Sequence, residues 1–243
     1  MGFFELLRRF SRACNLLPCP RCGRGDGGGA NRFCAACLAE LSRIPAGPRC
    51  PGCGGALDGV LAQCSACLAE AEERPWNGAV TLFEYTGAAR ELVHDFKFHG
   101  RPELARPFGA LAAEALREAR FRADLVVPVP LHWTRLWRRS YNQAGLFGER
   151  LAAELGIPCR NALRRRKRTR RQAGLRREQR ARNPRGAFAV RDPDAVTGRT
   201  VLLVDDVFTT GATLTAAAKV LRAAGCGPIF VVTIARTPRY RRS

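Results

Sequence analysis

Beyond about residue 75 the apolar positions fall into two alternating rhythms, and ahead of that point neither rhythm is present. Short apolar runs bounded by turn-forming residues predict strands at 79–85, 124–130, 201–206 and 229–235. Apolar residues spaced by three and four predict helices over 91–98, 107–120, 142–155 and 213–224. Leu111, Ala115 and Ala119 share one face of the second of these. Gly156 and Gly225 stand where a left-handed residue closes the last two helices. Strands apolar on both faces, alternating with helices, predict an α/β domain with a parallel sheet covered on each side. From 160 to 186 the pattern fails, and this arginine-dense stretch is predicted as a long mobile loop.

Cysteines organise the part of the chain that lacks periodicity. Eight of the eleven form four C-x-x-C pairs within residues 19–67. The pairs belong to a repeat: 19–40 opens with CPRCG and closes with CAACLAE, and 50–70 opens with CPGCG and closes with CSACLAE. The composition therefore divides the chain into 1–74 and 75–243. Thiolates two residues apart occupy one tight turn, so each pair offers two corners of a tetrahedron. Cys19, Cys22, Cys34 and Cys37 complete one four-thiolate site, and Cys50, Cys53, Cys64 and Cys67 the other. Gly23 and Gly54, each following an inner cysteine, suit the knuckle turn of a zinc ribbon. The spacers of eleven and ten residues are shorter than the usual ~15–20, yet the duplication favours sequential pairing over interleaving. Disulfides or redox thiols are the competing reading. The opening MGFFELLRRF carries Glu5, Arg8 and Arg9 where a signal peptide needs a continuous apolar stretch, which favours a cytoplasmic protein with two structural Zn2+ ions. With four thiolates and no open position, such sites are not catalytic. Cys14, Cys159 and Cys226 lack paired neighbours and read as small buried groups or surface thiols.

Charge narrows the partners. Lys and Arg outnumber Asp and Glu by 41 to 21, a net +20, so the chain attracts polyanions. Eleven basic residues against one acid lie between 164 and 182. This run reads as a solvated loop, a diphosphate clamp or a nucleic-acid footprint. Trp133, Trp137 and Tyr141 interleave with Arg135, Arg138 and Arg139, a pattern that suits single-stranded DNA as well as a packed loop. No apolar run reaches the roughly 18 residues that span a bilayer, so no membrane insertion is expected.

The chemistry concentrates in VLLVDDVFTTGAT, residues 201–213. In an open α/β sheet, ligands bind where strands end and helices begin. Thr209, Thr210, Gly211, Ala212 and Thr213 occupy that turn, and their amides, their hydroxyls and the positive end of the helix suit a phosphate dianion. There is no G-K-[ST], so this is not a Walker A loop. Asp205 and Asp206 just upstream repel a phosphate and so require another partner. Ribose hydroxyls supply one, and Mg2+ another.

DDVFTTGAT resembles the phosphoribosyl-diphosphate signature of type I phosphoribosyltransferases. Nearly the whole chain is similar to one branch of that superfamily, the ComF family (competence protein F), in its paired cysteines and in KFHG (97–100), VPVPL (127–131) and R-S-Y-N-Q (139–143). The similarity continues through T-x-x-Q-x-x-L (169–175) and R-x-x-N-x-x-G-A-F (180–188). Ser140 replaces the glycine usual in R-G-F-N-Q. The resemblance implies a type I phosphoribosyltransferase-like parallel sheet flanked by helices, with a small N-terminal double zinc ribbon. It implies that Asp205 and Asp206 hold the ribose 2- and 3-hydroxyls and that 209–213 hold the 5-phosphate. It implies further that Pro130, Leu131 and His132 face the diphosphate, and that Arg139, Thr169 and Gln172 close over the site.

By the same resemblance the ligand is phosphoribosyl diphosphate with Mg2+, or a nucleotide, and the role lies in natural competence and DNA uptake, with competence-machinery proteins as possible partners. Two readings stay open: a phosphoribosyltransferase with an unidentified acceptor, and a single-stranded-DNA-binding accessory protein whose pocket is silent or sensory. His94, His99 and His132 are scattered in the sequence and mark no general base. Glutamine-dependent amidophosphoribosyltransferases are set aside, because Gly2 stands where they carry a nucleophilic cysteine.

Overall fold

Two strands that are mostly apolar, β5 (Val201–Phe208) and β6 (Ile229–Arg236), form the centre of the sheet. The computed structural model describes residues 18–24, 32–57, 61–70, 73–131, 141–166 and 186–238. With β1 (Gly78–Glu84) and β2 (Leu125–Pro128) they form a four-stranded sheet in the order β1-β6-β5-β2. Every pairing is parallel, with Val201 beside Ile229, Leu125 beside Val201 and Val80 beside Val232. Parallel neighbours require a crossover. The one between β5 and β6 is the helix α6 (Ala212–Ala223), which the left-handed Gly225 follows.

Strand alternation sorts the side chains into two cores. Val126, Leu202, Val204, Val232 and Ile234 face one layer of helices, made of α3 (Gly87–Phe98), α4 (Ala105–Glu118) and α5 (Gln143–Leu155). Leu125, Val127, Val201, Leu203 and Val231 face α6 and a small antiparallel hairpin, β3 (Leu163–Arg165) with β4 (Phe188–Val190). The hairpin corrects part of the expected 160–186 loop. Its strands are three residues long, too short to show a period. Residues 167–185 lie outside the described residues. Helix α3 starts four residues before its predicted start, since Gly87, Ala88 and Ala89 continue directly from the extended Thr86. Strand β5 runs two residues past the aspartates, because Val207 and Phe208 pair with Ala235 and Arg236.

The cysteine repeats are built into both cores. Each carries its second pair at the start of a short helix, α1 (Ala35–Glu40) and α2 (Ser65–Leu68). Cys19, Cys34 and Cys37 belong to the first core with Phe33, and Cys50, Cys53 and Cys67 to the second with Trp76. Phe108 of α4 has its ring centroid 5.9 Å from Phe33, 6.2 Å from Phe83 of β1 and 5.7 Å from Phe96 of α3. One side chain thus joins the first repeat to the sheet and to two helices. The backbone joins too: Ile44 N–H donates to the Leu82 carbonyl and Glu84 N–H to the Ser42 carbonyl, both at 2.8 Å, extending the sheet beyond β1. At the opposite margin Val126 N–H donates to the Pro158 carbonyl, and Arg160 N–H to that of Val126, each at 2.9 Å. No helix among the described residues is long and apolar enough to cross a membrane.

Candidate functional site

The carboxyl end of β5 carries both aspartates, and the pleat sends them to opposite faces. Asp205 lies beside Thr233 in register, on the side of α6 and the hairpin. Asp206 lies on the other side, where the ammonium of Lys97 at the end of α3 sits 2.9 Å from its Oδ1. Asp205 Oδ1 accepts the amide of Asp206 at 2.9 Å. Burial pushes the Asp205 carboxyl up to about 7, helped by the negative charge of Asp206. The Asp206 amide and the cations Lys97 and Arg165 only partly offset this.

After Phe208 the chain turns through Gly211, whose φ of 75° and ψ of 0° place it in the left-handed region. A Cβ there would come within 2.8 Å of the Phe208 ring and 3.0 Å of the Arg74 guanidinium, so any other residue would be strained and would have to displace one of them. Thr210 Oγ1 accepts the Ala212 amide at 3.3 Å, and helix α6 starts there with its amino end toward the turn. Thr209, Thr210, Ala212 and Thr213 are partly exposed, whereas Gly211 is buried. Arg74 braces this turn from the segment that follows the second cysteine repeat. It donates to the Thr210 carbonyl at 3.0 Å and to Thr215 Oγ1 at 3.3 Å, is ion-paired with Glu70, and lies over the rings of Trp76 and Phe208.

Because β2 pairs with β5, its carboxyl end brings Pro130 and Leu131 to the same margin of the sheet. The Val129 amide donates to the Val204 carbonyl at 2.9 Å, and Asn142 Nδ2 to the Val129 carbonyl at 3.3 Å. The structure therefore gathers Asp205, Asp206, Thr209–Thr213, Pro130 and Leu131 at one end of the sheet. His132, Arg139, Thr169 and Gln172 lie outside the described residues, as do Trp133 and Trp137 and most of the arginine run. Sequence reasoning missed Lys97, Arg74 and Arg165 as site residues. Lys97 had a signal, a lysine directly after the apolar face of Leu92, Val93 and Phe96. Arg74 had none, since its partners in the turn and in α6 lie more than 130 residues away.

The two groups of four cysteines each bring their sulfurs within 4.8 Å of one another, in the sequential pairing expected. Cys22 and Cys34 are 3.7 Å apart at Sγ, as are Cys53 and Cys64. A tetrahedron with metal–sulfur bonds near 2.3 Å has edges of about 3.8 Å, so the sulfurs fit one metal ion per group. Amides of Cys34, Cys37 and Cys64 donate to Cys19, Cys34 and Cys50 sulfur at 3.4 Å, as thiolates require. Gly23 and Gly54 take the left-handed turns (φ 74° and 71°). Gly54 also permits the second knuckle to lie on β1, since a Cβ there would sit 2.6 Å from the Thr81 nitrogen. Arg236 of β6 donates to Cys53 Sγ at 3.1 Å. Burial opposes its charge, but Cys53 and Glu84 more than compensate and raise its pKa.

A comparison with protein families matches residues 142–243 to the family described as "Phosphoribosyl transferase domain". With the parallel sheet flanked by helices and the turn after β5, the fold is that of the type I phosphoribosyltransferases, preceded by two four-cysteine groups. The chain is 33% identical to the "DNA utilization protein YhgH" of Escherichia coli K12 over 194 residues, covering 77% of this chain and 84% of that protein. It is 25% identical to "Competence protein ComFC" of Streptococcus pneumoniae, covering 84% and 87%. With "Competence protein F" of Haemophilus influenzae it shares 34% identity over 213 residues, 85% of this chain and 91% of the other. Identity at that level along almost the whole of the Haemophilus protein shows that this chain belongs to the competence protein F family.

Proposed function

We propose that the chain binds phosphoribosyl diphosphate together with Mg2+ and transfers its phosphoribosyl group to an acceptor, in the service of DNA uptake and use. The observation that carries this reading is the carboxylate pair at the end of β5, followed at once by the Gly211 turn and the amino end of α6. Asp205 and Asp206 accept the ribose 2- and 3-hydroxyls, and the 209–213 turn holds the 5-phosphate. Pro130 and Leu131, at the neighbouring strand end, face the diphosphate. The carboxylate oxygens are hard ligands of the kind Mg2+ takes, and the ion when bound neutralises charge on the departing diphosphate. The same carboxylates balance positive charge that develops on the sugar as its bond to the diphosphate lengthens. The cysteine groups hold two structural Zn2+ ions, as their sulfur geometry supports. The relatives are named for competence and DNA utilization, and the proposed setting is the cytoplasm beside that machinery.

Thermal unfolding tests the pocket. Phosphoribosyl diphosphate with Mg2+ raises the midpoint by several degrees in the wild type and not in Asp205→Asn/Asp206→Asn. Equal shifts in both proteins refute the assignment. Release of pyrophosphate on adding a nucleobase or nucleotide separates a transferase from a silent or sensory pocket.

A second reading, binding of single-stranded DNA, is favoured by the net +20 charge and by Arg164 and Arg166, which are exposed at the base of the hairpin carrying the arginine run. Binding that weakens steeply with salt, and less steeply once Arg164 and Arg166 are neutralised, supports it. Salt-independent binding counts against it.

A further inference from the structure

Lys97 reaches the site from a layer that supplies none of the sequence-predicted residues, and resting on the pocket reading above we propose that it is a ligand of the diphosphate, kept on Asp206 until substrate arrives. Its side chain is 13% exposed and that of Asp206 15%, so neither charge is well solvated and the ion pair offsets the burial of both. Ribose carries its diphosphate on C1, beside the 2-hydroxyl. A carboxylate that accepts the ribose diol therefore stands within a lysine's reach of the diphosphate. When the diol takes over Asp206, the ammonium loses its partner at the place where new negative charge has entered. Exchange of one anionic partner for another costs little, since the charge stays paired throughout.

The anchoring around Lys97 fits a side chain that swings from a fixed base. Leu92, Val93 and Phe96 are fully buried one turn before it. The Phe96 carbonyl accepts Tyr141 Oη at 2.6 Å, and the Lys97 carbonyl accepts Gln143 Nε2 at 3.3 Å. Tyr141 and Gln143 flank Asn142, which holds the Val129 carbonyl next to Pro130 and Leu131. The backbone that carries Lys97 and the loop proposed to face the diphosphate thus share one clamp. Lysine, with a long stem and a compact charge, suits such an exchange better than the planar guanidinium would.

Calorimetric titration of phosphoribosyl diphosphate with Mg2+ and of ribose 5-phosphate, into wild type, Lys97→Met and Lys97→Arg, tests this. The expected result is a loss of at least tenfold in affinity for phosphoribosyl diphosphate in K97M, with ribose 5-phosphate changed by less than about threefold. K97R should recover part of the loss. Equal weakening of both ligands, or of neither, overturns the role of Lys97 while leaving the pocket in place. A wild type that binds neither ligand overturns the pocket reading, and this inference with it. Unfolding midpoints verify that the variants are folded. If K97M is not, Lys97→Gln, which keeps a hydrogen bond to Asp206, is judged by the same comparison.

Discussion

Arg74 Nη2 donates to the carbonyl of Thr210 at 3.0 Å, across 136 positions of sequence. The donor lies seven residues after Cys67, the last cysteine of the second group, and the acceptor lies in the turn proposed to hold phosphate. With Nη1 on Thr215 Oγ1, the guanidinium spans the turn and the first coil of α6. The second cysteine repeat and the turn proposed to hold phosphate are therefore mechanically connected.

Replacing Arg74 by Ala should loosen the turn without touching ligand. Affinity for ribose 5-phosphate should fall about tenfold, and stability by roughly 1–3 kcal/mol, the usual cost of losing charged hydrogen bonds at a partly buried group. Lys at this position should not restore binding, because one ammonium cannot serve two acceptors in a planar fork. Titration calorimetry and denaturant unfolding measure both quantities.

Two zinc equivalents per chain should be released by a thiol-modifying reagent and counted with a chromogenic chelator. Loss of the second ion, for example in Cys50→Ser/Cys53→Ser, should lower the unfolding midpoint of the entire chain and not only expose the repeat to protease. Cys50, Cys53 and Cys67 share a core with Trp76, Phe208 and Val231. Structural zinc contributes on the order of 10–16 kcal/mol, so its loss is felt wherever that core extends.

Gly211→Ala should abolish detectable binding of ribose 5-phosphate while costing about 1–3 kcal/mol of stability, the price of a left-handed non-glycine residue. The new methyl must displace the Phe208 ring or the Arg74 fork. Heteronuclear NMR of the 209–213 amides would report a rearranged turn in an otherwise native spectrum.

The Asp205 carboxyl has a clear pH signature. Its folded pKa, about 7, lies above its ordinary value near 3.8. Between these values the folded state holds a proton that the unfolded state has released, so stability falls as pH rises from about 4 through about 7. Asp205→Asn removes that dependence. The unfolding midpoint of the variant relative to wild type should therefore rise between pH 5 and pH 8. A constant difference would show that Asp205 is ionised throughout.

Much of the molecule was legible from local pattern. The four sheet strands, the helix ends at Gly156 and Gly225 and the sequential cysteine pairing all depend on neighbours in sequence. So does the turn after β5, where glycine, threonines and a helix start are contiguous. What escaped was long-range or short. Arg74 meets Thr210 only because the second repeat packs beside Phe208. Lys97 meets Asp206 only because α3 covers the face to which the pleat turns that aspartate. The β3–β4 hairpin has three residues per strand and no periodicity to read. Nor does composition reveal that the cysteine repeats sit inside the sheet's own cores, since the apolar side chains that join them, Phe33 and Trp76, are isolated in sequence.

The backbone bonds from Ser42 and Ile44 to β1 matter for any attempt to dissect the chain. A fragment starting at residue 75 would bare a strand margin whose amides and carbonyls have lost their mates, near Phe108 deprived of its contact with Phe33. Such a raw border invites pairing with a second copy. Self-association of the carboxyl-terminal portion on truncation would measure how far the cysteine repeats act as selvedge to the sheet.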